Sequence, residues 1–161
     1  IFDFARDKNR NPFMLMASFT HPHNPFVTTQ EFWDLYDHNN INMPRMPWSP
    51  VSSRDPWSQR YALTIREDEH NVTEEDIRKS RHAYLGMVSY FDSLTGRIVK
   101  TLKECDFYDN TYIFVVADHG EMLGERGTWF KFLPFEWSVR VPMIASGPNV
   151  VKGKVENHYT S

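Results

Sequence analysis

Cysteine is nearly absent. One residue, Cys105, stands in 161 positions, so no disulfide can form within the chain and packing alone must hold the fold. A lone thiol leans towards a reducing compartment, and a cytoplasmic location is expected, with the periplasm as the alternative. An excess of positive charge is missing too. Eighteen basic residues face 21 acidic ones, for a formal charge of −3, which excludes the basic footprint of a nucleic-acid-binding domain. The longest apolar runs fall far short of the roughly 20 residues that span a bilayer, so no membrane partner is expected. No signal-peptide pattern and no initiator methionine opens the chain at Ile1-Phe2-Asp3-Phe4, and a piece of a longer protein is expected.

What is present suits a folded domain. The chain is 40% hydrophobic and 24% charged, a globular balance in a length of about one domain. Thr111 to Ala117 is a nearly unbroken run of β-branched and aromatic residues, which predicts a strand buried on both faces of a parallel sheet. Asp118, His119 and Gly120 follow where that strand should surface, and open α/β sheets bind ligands outside the carboxyl ends of their strands. A carboxylate beside an imidazole suits a divalent cation. Oxygen-rich surroundings favour Ca²⁺ or Mg²⁺, and His119 leaves zinc open. The plainer reading is an Asp that caps a turn and a His packed beneath the sheet. Past a turn-rich loop containing Gly124 and Gly127 comes Lys131, whose charge near such a site points to an anionic substrate; an ordinary surface lysine is the alternative.

Elsewhere, Phe13 to Phe19 reads as a second buried strand, followed by His21-Pro22-His23-Asn24-Pro25. Two prolines stiffen that loop and make His23 a candidate general acid or hydrogen-bond donor to a leaving oxygen, with His21 competing for the role. Thr28 to His38 predicts a short helix with a Thr28/Glu31 capping box. Residues 39 to 60 carry Pro44, Pro47, Pro50 and Pro56 with Trp48 and Trp57 and show no period, which suggests an irregular pocket wall. From Thr73 to Glu104 the helical period is plain, with Ile77, Tyr84, Val88, Phe91, Leu94, Ile98 and Leu102 on one face and capping residues at Thr73. Val141 to Ala145 predicts a third strand, and strand–helix–strand order predicts a right-handed parallel crossover. Glu125 and Arg126 read as an exposed loop pair, Arg140 as a structural ion-pair partner, and Cys105, among acidic neighbours, as a structural thiol.

Several of these segments resemble the sulfatase family of the alkaline phosphatase superfamily. They are Ser18-Phe19-Thr20-His21-Pro22-His23-Asn24-Pro25, Arg81-His82-Ala83-Tyr84, Val88-Ser89-Tyr90-Phe91-Asp92, the block from Ala117 to Gly127, Trp129-Phe130-Lys131 and Arg140-Val141-Pro142. Within the family the similarity is closest to choline-sulfatases. The resemblance implies an α/β fold, an alkaline-phosphatase-like sheet with flanking helices, of which residues 1–161 form a single partial domain. It also implies roles: Asp118 and His119 as ligands of a catalytic Ca²⁺ or Mg²⁺, His23 beside the leaving-group oxygen, and Lys131 on the sulfate. The family's formylglycine nucleophile comes from a Cys-x-Pro/Ala-x-Arg motif that this chain lacks, and the Asp pair on the family's first strand is missing as well. Glu121 stands where the family often has Asp. The expectation is a sulfuric ester hydrolase acting on a small-molecule sulfate ester, choline sulfate among the candidates. These 161 residues should be inactive alone, and homo-oligomerisation is left open. A phosphonate monoester hydrolase or phosphodiesterase, and a non-catalytic binding relative, are the alternatives.

Overall fold

A computed structural model describes residues 1–8, 11–46 and 48–156. Its axis is the predicted long helix. After α1 (Phe2–Arg6), α2 (Gln30–Trp33) and α3 (Pro56–Thr64), helix α4 runs Glu74–Glu104. Thr73 caps it reciprocally: its hydroxyl oxygen accepts from the Asp76 N–H at 3.2 Å, and the Asp76 carboxylate accepts from the Thr73 N–H at 3.0 Å. Glu74, Glu75 and Asp76 place negative charge at the positive end of the helix dipole. The best-buried side of α4 is His82, Ala83, Gly86 and Met87, where the small Ala83 and Gly86 let neighbours approach closely. A side chain at Gly86 would meet Thr28 at 2.8 Å.

That approach explains why the capping box expected at Thr28 is not formed. Thr28 packs on Gly86, Thr29 takes the N-cap position without a side-chain bond, and the helix shrinks to α2, with a separate 3-10 turn at His38–Asn40. The two pieces meet at His82, which is 1% exposed. Trp33 stacks on its ring at a centroid distance of 3.6 Å, the Trp33 carbonyl accepts from its Nε2–H at 2.8 Å, and His38 lies 2.9 Å from its Nδ1.

Helix α3 begins inside the stretch expected to be irregular, residues 39 to 60, and runs past its end. Its start signal is an aspartate before a proline: the Asp55 carboxylate accepts from the backbone N–H groups of Trp57 and Ser58 at 3.1 and 3.0 Å, and Pro56 opens the first turn.

The strands depart most from expectation. Within the predicted Thr111–Ala117 run, β1 (Ile113–Val116) forms, and after α5 (Glu136–Val139) comes β2 (Met143–Ser146). They pair antiparallel, Ile113 opposite Ser146 and Val116 opposite Met143. β1 alternates between half-buried and exposed positions, so it is not enclosed on both faces. Phe13 to Phe19 is not a strand. Its ends are drawn to α4 and its C-terminal turn, with Phe13 in a ring cluster with Phe4 and Phe107 and Phe19 edge-on to Phe91, while Met14 between them is 93% exposed. The parallel crossover is therefore not formed among the described residues. Leu15, Met16, Phe114, Val116 and Ile144 are exposed as well, with Phe114 and Val116 on the same sheet face as Met143, and Ile144 on the other.

Asp55 supplies a test. The Ser58 hydroxyl, then the backbone N–H groups, hold its carboxyl below the ordinary 3.8. A depressed acid stabilises the fold above its unfolded value, and that contribution is lost as pH falls through the folded value. Asp55→Ala is expected to lower stability by about 1 kcal/mol near neutral pH. Urea unfolding across pH should show the gap to the unsubstituted protein closing in acid.

Candidate functional site

The chain leaves β1 through Ala117 and turns sharply at Asp118, His119 and Gly120. Gly120 N–H donates to the Ser138 carbonyl and Glu121 N–H to the Trp137 carbonyl, both at 2.7 Å, which fastens the turn to α5. A Cβ at Gly120 would lie 2.1 Å from the Trp137 carbonyl oxygen, so only glycine fits. His119 donates Nδ1–H to the Gly120 carbonyl at 2.8 Å. Its Nε2 is left with a lone pair, 3.8 Å from an Asp118 carboxylate oxygen. The Asp118 side chain is 90% exposed.

His23 repeats the pattern. It donates Nδ1–H to the Asn24 carbonyl at 2.8 Å, and its free Nε2 accepts from the Lys131 ammonium. The His23 and His119 rings lie edge to face with centroids 5.9 Å apart. Residues from three separated segments thus meet at the carboxyl end of β1. His21 does not join them: its ring packs edge-on against Tyr90 of α4 at 5.1 Å. A cleft of about 300 Å³ opens beside His23, bordered by Thr20, Pro25 and Met87.

The loop from Glu121 to Lys131 has no regular secondary structure beyond a 3-10 turn at Glu125–Gly127; backbone carbonyls take most of its N–H groups, and a carboxylate takes two. Glu121 accepts from Phe130 N–H at 2.6 Å and Leu123 N–H at 3.3 Å. Burial pushes its carboxyl up, against those bonds and the pull of Lys131 and His119. Glu125 is not the exposed residue expected from the sequence. It is 2% exposed, and its carboxylate accepts from Arg45 N–H and Met46 N–H, both at 2.9 Å, with Arg81 Nη1 at 3.5 Å. Arg81 also donates to the Leu123 carbonyl at 2.9 Å. Nothing in a Gly-Glu-Arg-Gly sequence signals that burial; its partners are backbone groups 80 positions away.

Trp48 and Trp57 are both exposed, at 61% and 57%. Trp48 lies over Gly127, where a Cβ would sit 2.2 Å from its ring, and its Nε1–H donates to Glu67 at 3.1 Å. Trp57 on α3 donates its Nε1–H to the Phe132 carbonyl at 3.0 Å. Beside it Tyr61 donates to the Trp129 carbonyl at 2.8 Å, and its hydroxyl is pushed up to about 12, first by burial and then by Glu121 and Glu67. Arg140 makes no ion pair among the described residues, and Cys105 caps the end of α4 as a free, half-buried thiol.

The donor set suits a cation in part. Asp118 and His119 offer a carboxylate oxygen and an imidazole lone pair side by side, the imidazole held in the right tautomer by a backbone carbonyl, as metal-ligating histidines are. Among the described residues no group of three or more His, Cys, Asp or Glu converges. The pair fits as part of a ligand set and does not complete one.

A family model described as Sulfatase matches residues 1–161. A choline-sulfatase of Rhizobium meliloti is 44% identical over 147 residues, which cover 91% of this chain and 29% of that protein. A phosphonate monoester hydrolase from Silicibacter pomeroyi superposes with a TM-score of 0.67 at 32% identity, over 80% of this chain and 27% of that one. That of Agrobacterium radiobacter shares the fold, with a TM-score of 0.75 at 24% identity over 89% of this chain and 31% of its own. The fold is therefore the alkaline-phosphatase-like α/β architecture, and the chain spans less than a third of each of these proteins.

Glu125→Ala would strip the Arg45 and Met46 N–H groups of their acceptor and leave Arg81 without its carboxylate. The expected loss of stability is about 3 kcal/mol, as when one partner of a buried ion pair is removed. Urea unfolding measures it; a loss below about 1 kcal/mol, the range of exposed pairs, would contradict the tethering role.

Proposed function

The chain belongs to the sulfatase family, and from that membership we propose that the protein carrying it hydrolyses a sulfate monoester to an alcohol and sulfate. Choline sulfate, or a small ester like it, is the substrate we favour, because a choline-sulfatase is 44% identical over 91% of this chain. The observation that carries the proposal is the meeting of Lys131, His23 and His119 beyond β1.

Each residue then has a task. The Lys131 ammonium attracts the sulfuryl oxygens and offsets the charge that develops on them. It also bonds to His23 Nε2. A sulfuryl group would compete for that ammonium and free His23 Nε2 to take up a proton from water. His23 can pass this proton to the leaving oxygen, which an alkyl ester needs because a bare alkoxide leaves poorly. The Asn24 carbonyl fixes the ring so that Nε2 is the working atom. Asp118 and His119 would hold a divalent cation, Ca²⁺ in preference to Mg²⁺, which when bound withdraws charge from the sulfuryl oxygens. The nucleophile, a formylglycine by family resemblance, belongs to residues outside these 161.

A second reading, phosphonate monoester hydrolysis, is favoured by the 32% identity to a phosphonate monoester hydrolase. A cation and a lysine suit either anion, so kcat/KM for a sulfate ester against a phosphonate monoester on the same enzyme decides between them.

Two outcomes are expected. His23→Ala in the longer protein should cut kcat by on the order of 100-fold or more on an alkyl sulfate, and far less on a nitrophenyl sulfate, whose leaving group needs no proton. Equal losses on both would remove His23 from the acid role. The isolated 161-residue chain should show no sulfate release even with Ca²⁺ supplied, and measurable turnover would overturn the assignment of the nucleophile elsewhere.

A further inference from the structure

Lys131 is held from both sides by groups that the reading above leaves without a task. On its N-terminal side, one oxygen of Glu121 accepts from Phe130 N–H at 2.6 Å and from Leu123 N–H at 3.3 Å. Both of those residues are in the left-handed region, Phe130 at φ 68° and Leu123 at φ 46°. Residues with side chains stay there only where surrounding contacts impose it. The Met122 N–H to Phe130 carbonyl bond, 2.9 Å, closes the same loop. On the other side, the buried Ser138 hydroxyl donates to the Lys131 carbonyl at 2.6 Å. The carbonyl of that same serine accepts from Gly120 N–H at 2.7 Å, one residue from His119. Ser138 therefore ties the strand-end turn and the lysine to a single point on α5.

We infer that Glu121 and Ser138 are positioning residues for Lys131: the carboxylate turns the Phe130 backbone, the serine anchors the next carbonyl, and together they aim the ammonium at His23 and fix its spacing from His119. Neither touches the bound anion in this account. The kinetic consequence rests on the role proposed for Lys131; the positional one does not.

The test uses the longer natural protein with Glu121→Ala, Glu121→Gln, Ser138→Ala and Lys131→Ala. Glutamine keeps an oxygen that can accept from Phe130 N–H, so E121Q should stay within about fivefold of the unsubstituted enzyme. E121A and S138A should each lose on the order of 100-fold in kcat/KM for a sulfate ester, the scale of a misplaced catalytic group. In the Lys131→Ala background the same changes should cost less than about threefold, because residues acting through one group are not additive. Equal losses in both backgrounds overturn the inference. An independent reading is the rate at which a small N-hydroxysuccinimide ester acylates Lys131, followed by peptide mass mapping. It should rise several-fold in E121A and S138A and be unchanged in E121Q. Unchanged labelling in folded E121A and S138A overturns the inference even if sulfate esters are not turned over at all; absent turnover in the unsubstituted protein sinks the proposed activity and leaves the labelling to decide. Should E121A fail to fold, S138A carries both measurements.

Discussion

Backbone N–H groups buried in a loop must find acceptors, and where backbone carbonyls do not serve here, two side-chain carboxylates do. Glu125 takes the N–H groups of Arg45 and Met46, and Arg81 of α4 closes on it from the other side. Three segments far apart in sequence are joined at one carboxylate. The loop after β1 is thereby set against the longest helix, and the Pro-rich segment is set against the loop. The loop closes on itself through Glu121 and the Met122–Phe130 bond, and the Glu125 junction sets that closed loop against the helix. The cluster of Lys131, His23 and His119 depends on it at one remove.

How much of this could be read from the sequence follows from how local each determinant is. The α4 helix was legible because its period, cap and first-turn acids lie within its own residues, and it begins one residue from the expected cap. Asp118, His119, Lys131 and His23 could be picked out by residue type and by position after an apolar run, and three of the four do meet. Glu125, Ser138 and the pairing of His82 with Trp33 were not legible, because their partners are 80, 7 and 49 positions away and are backbone carbonyls or N–H groups that any residue carries. Helix α3 was readable in principle from Asp55-Pro56 but was masked by the prolines around it.

The strands failed for a different reason. A continuous apolar run says that a segment wants to be buried, and says nothing of what buries it. Thr111 to Ala117 and Phe13 to Phe19 carry that signal, yet Phe114, Val116, Met14 and Met16 are exposed among the described residues. The unfinished donor set at Asp118 and His119 is the polar counterpart of the same observation. Both are what one part of a larger domain presents, and both agree with a chain that spans 29% of a choline-sulfatase.

Lysine, rather than arginine, suits position 131 in this arrangement. An ammonium is a compact charge on a flexible stem, able to exchange one acceptor for another without the fixed fork of a guanidinium. It bonds to His23 Nε2, while one oxygen of the neighbouring Glu121 carboxyl accepts from two backbone N–H groups and makes no ion pair with the ammonium among the described residues. In the proposed reaction an anion would meet a lysine held by an imidazole nitrogen and not by a salt bridge, which would have to be broken first.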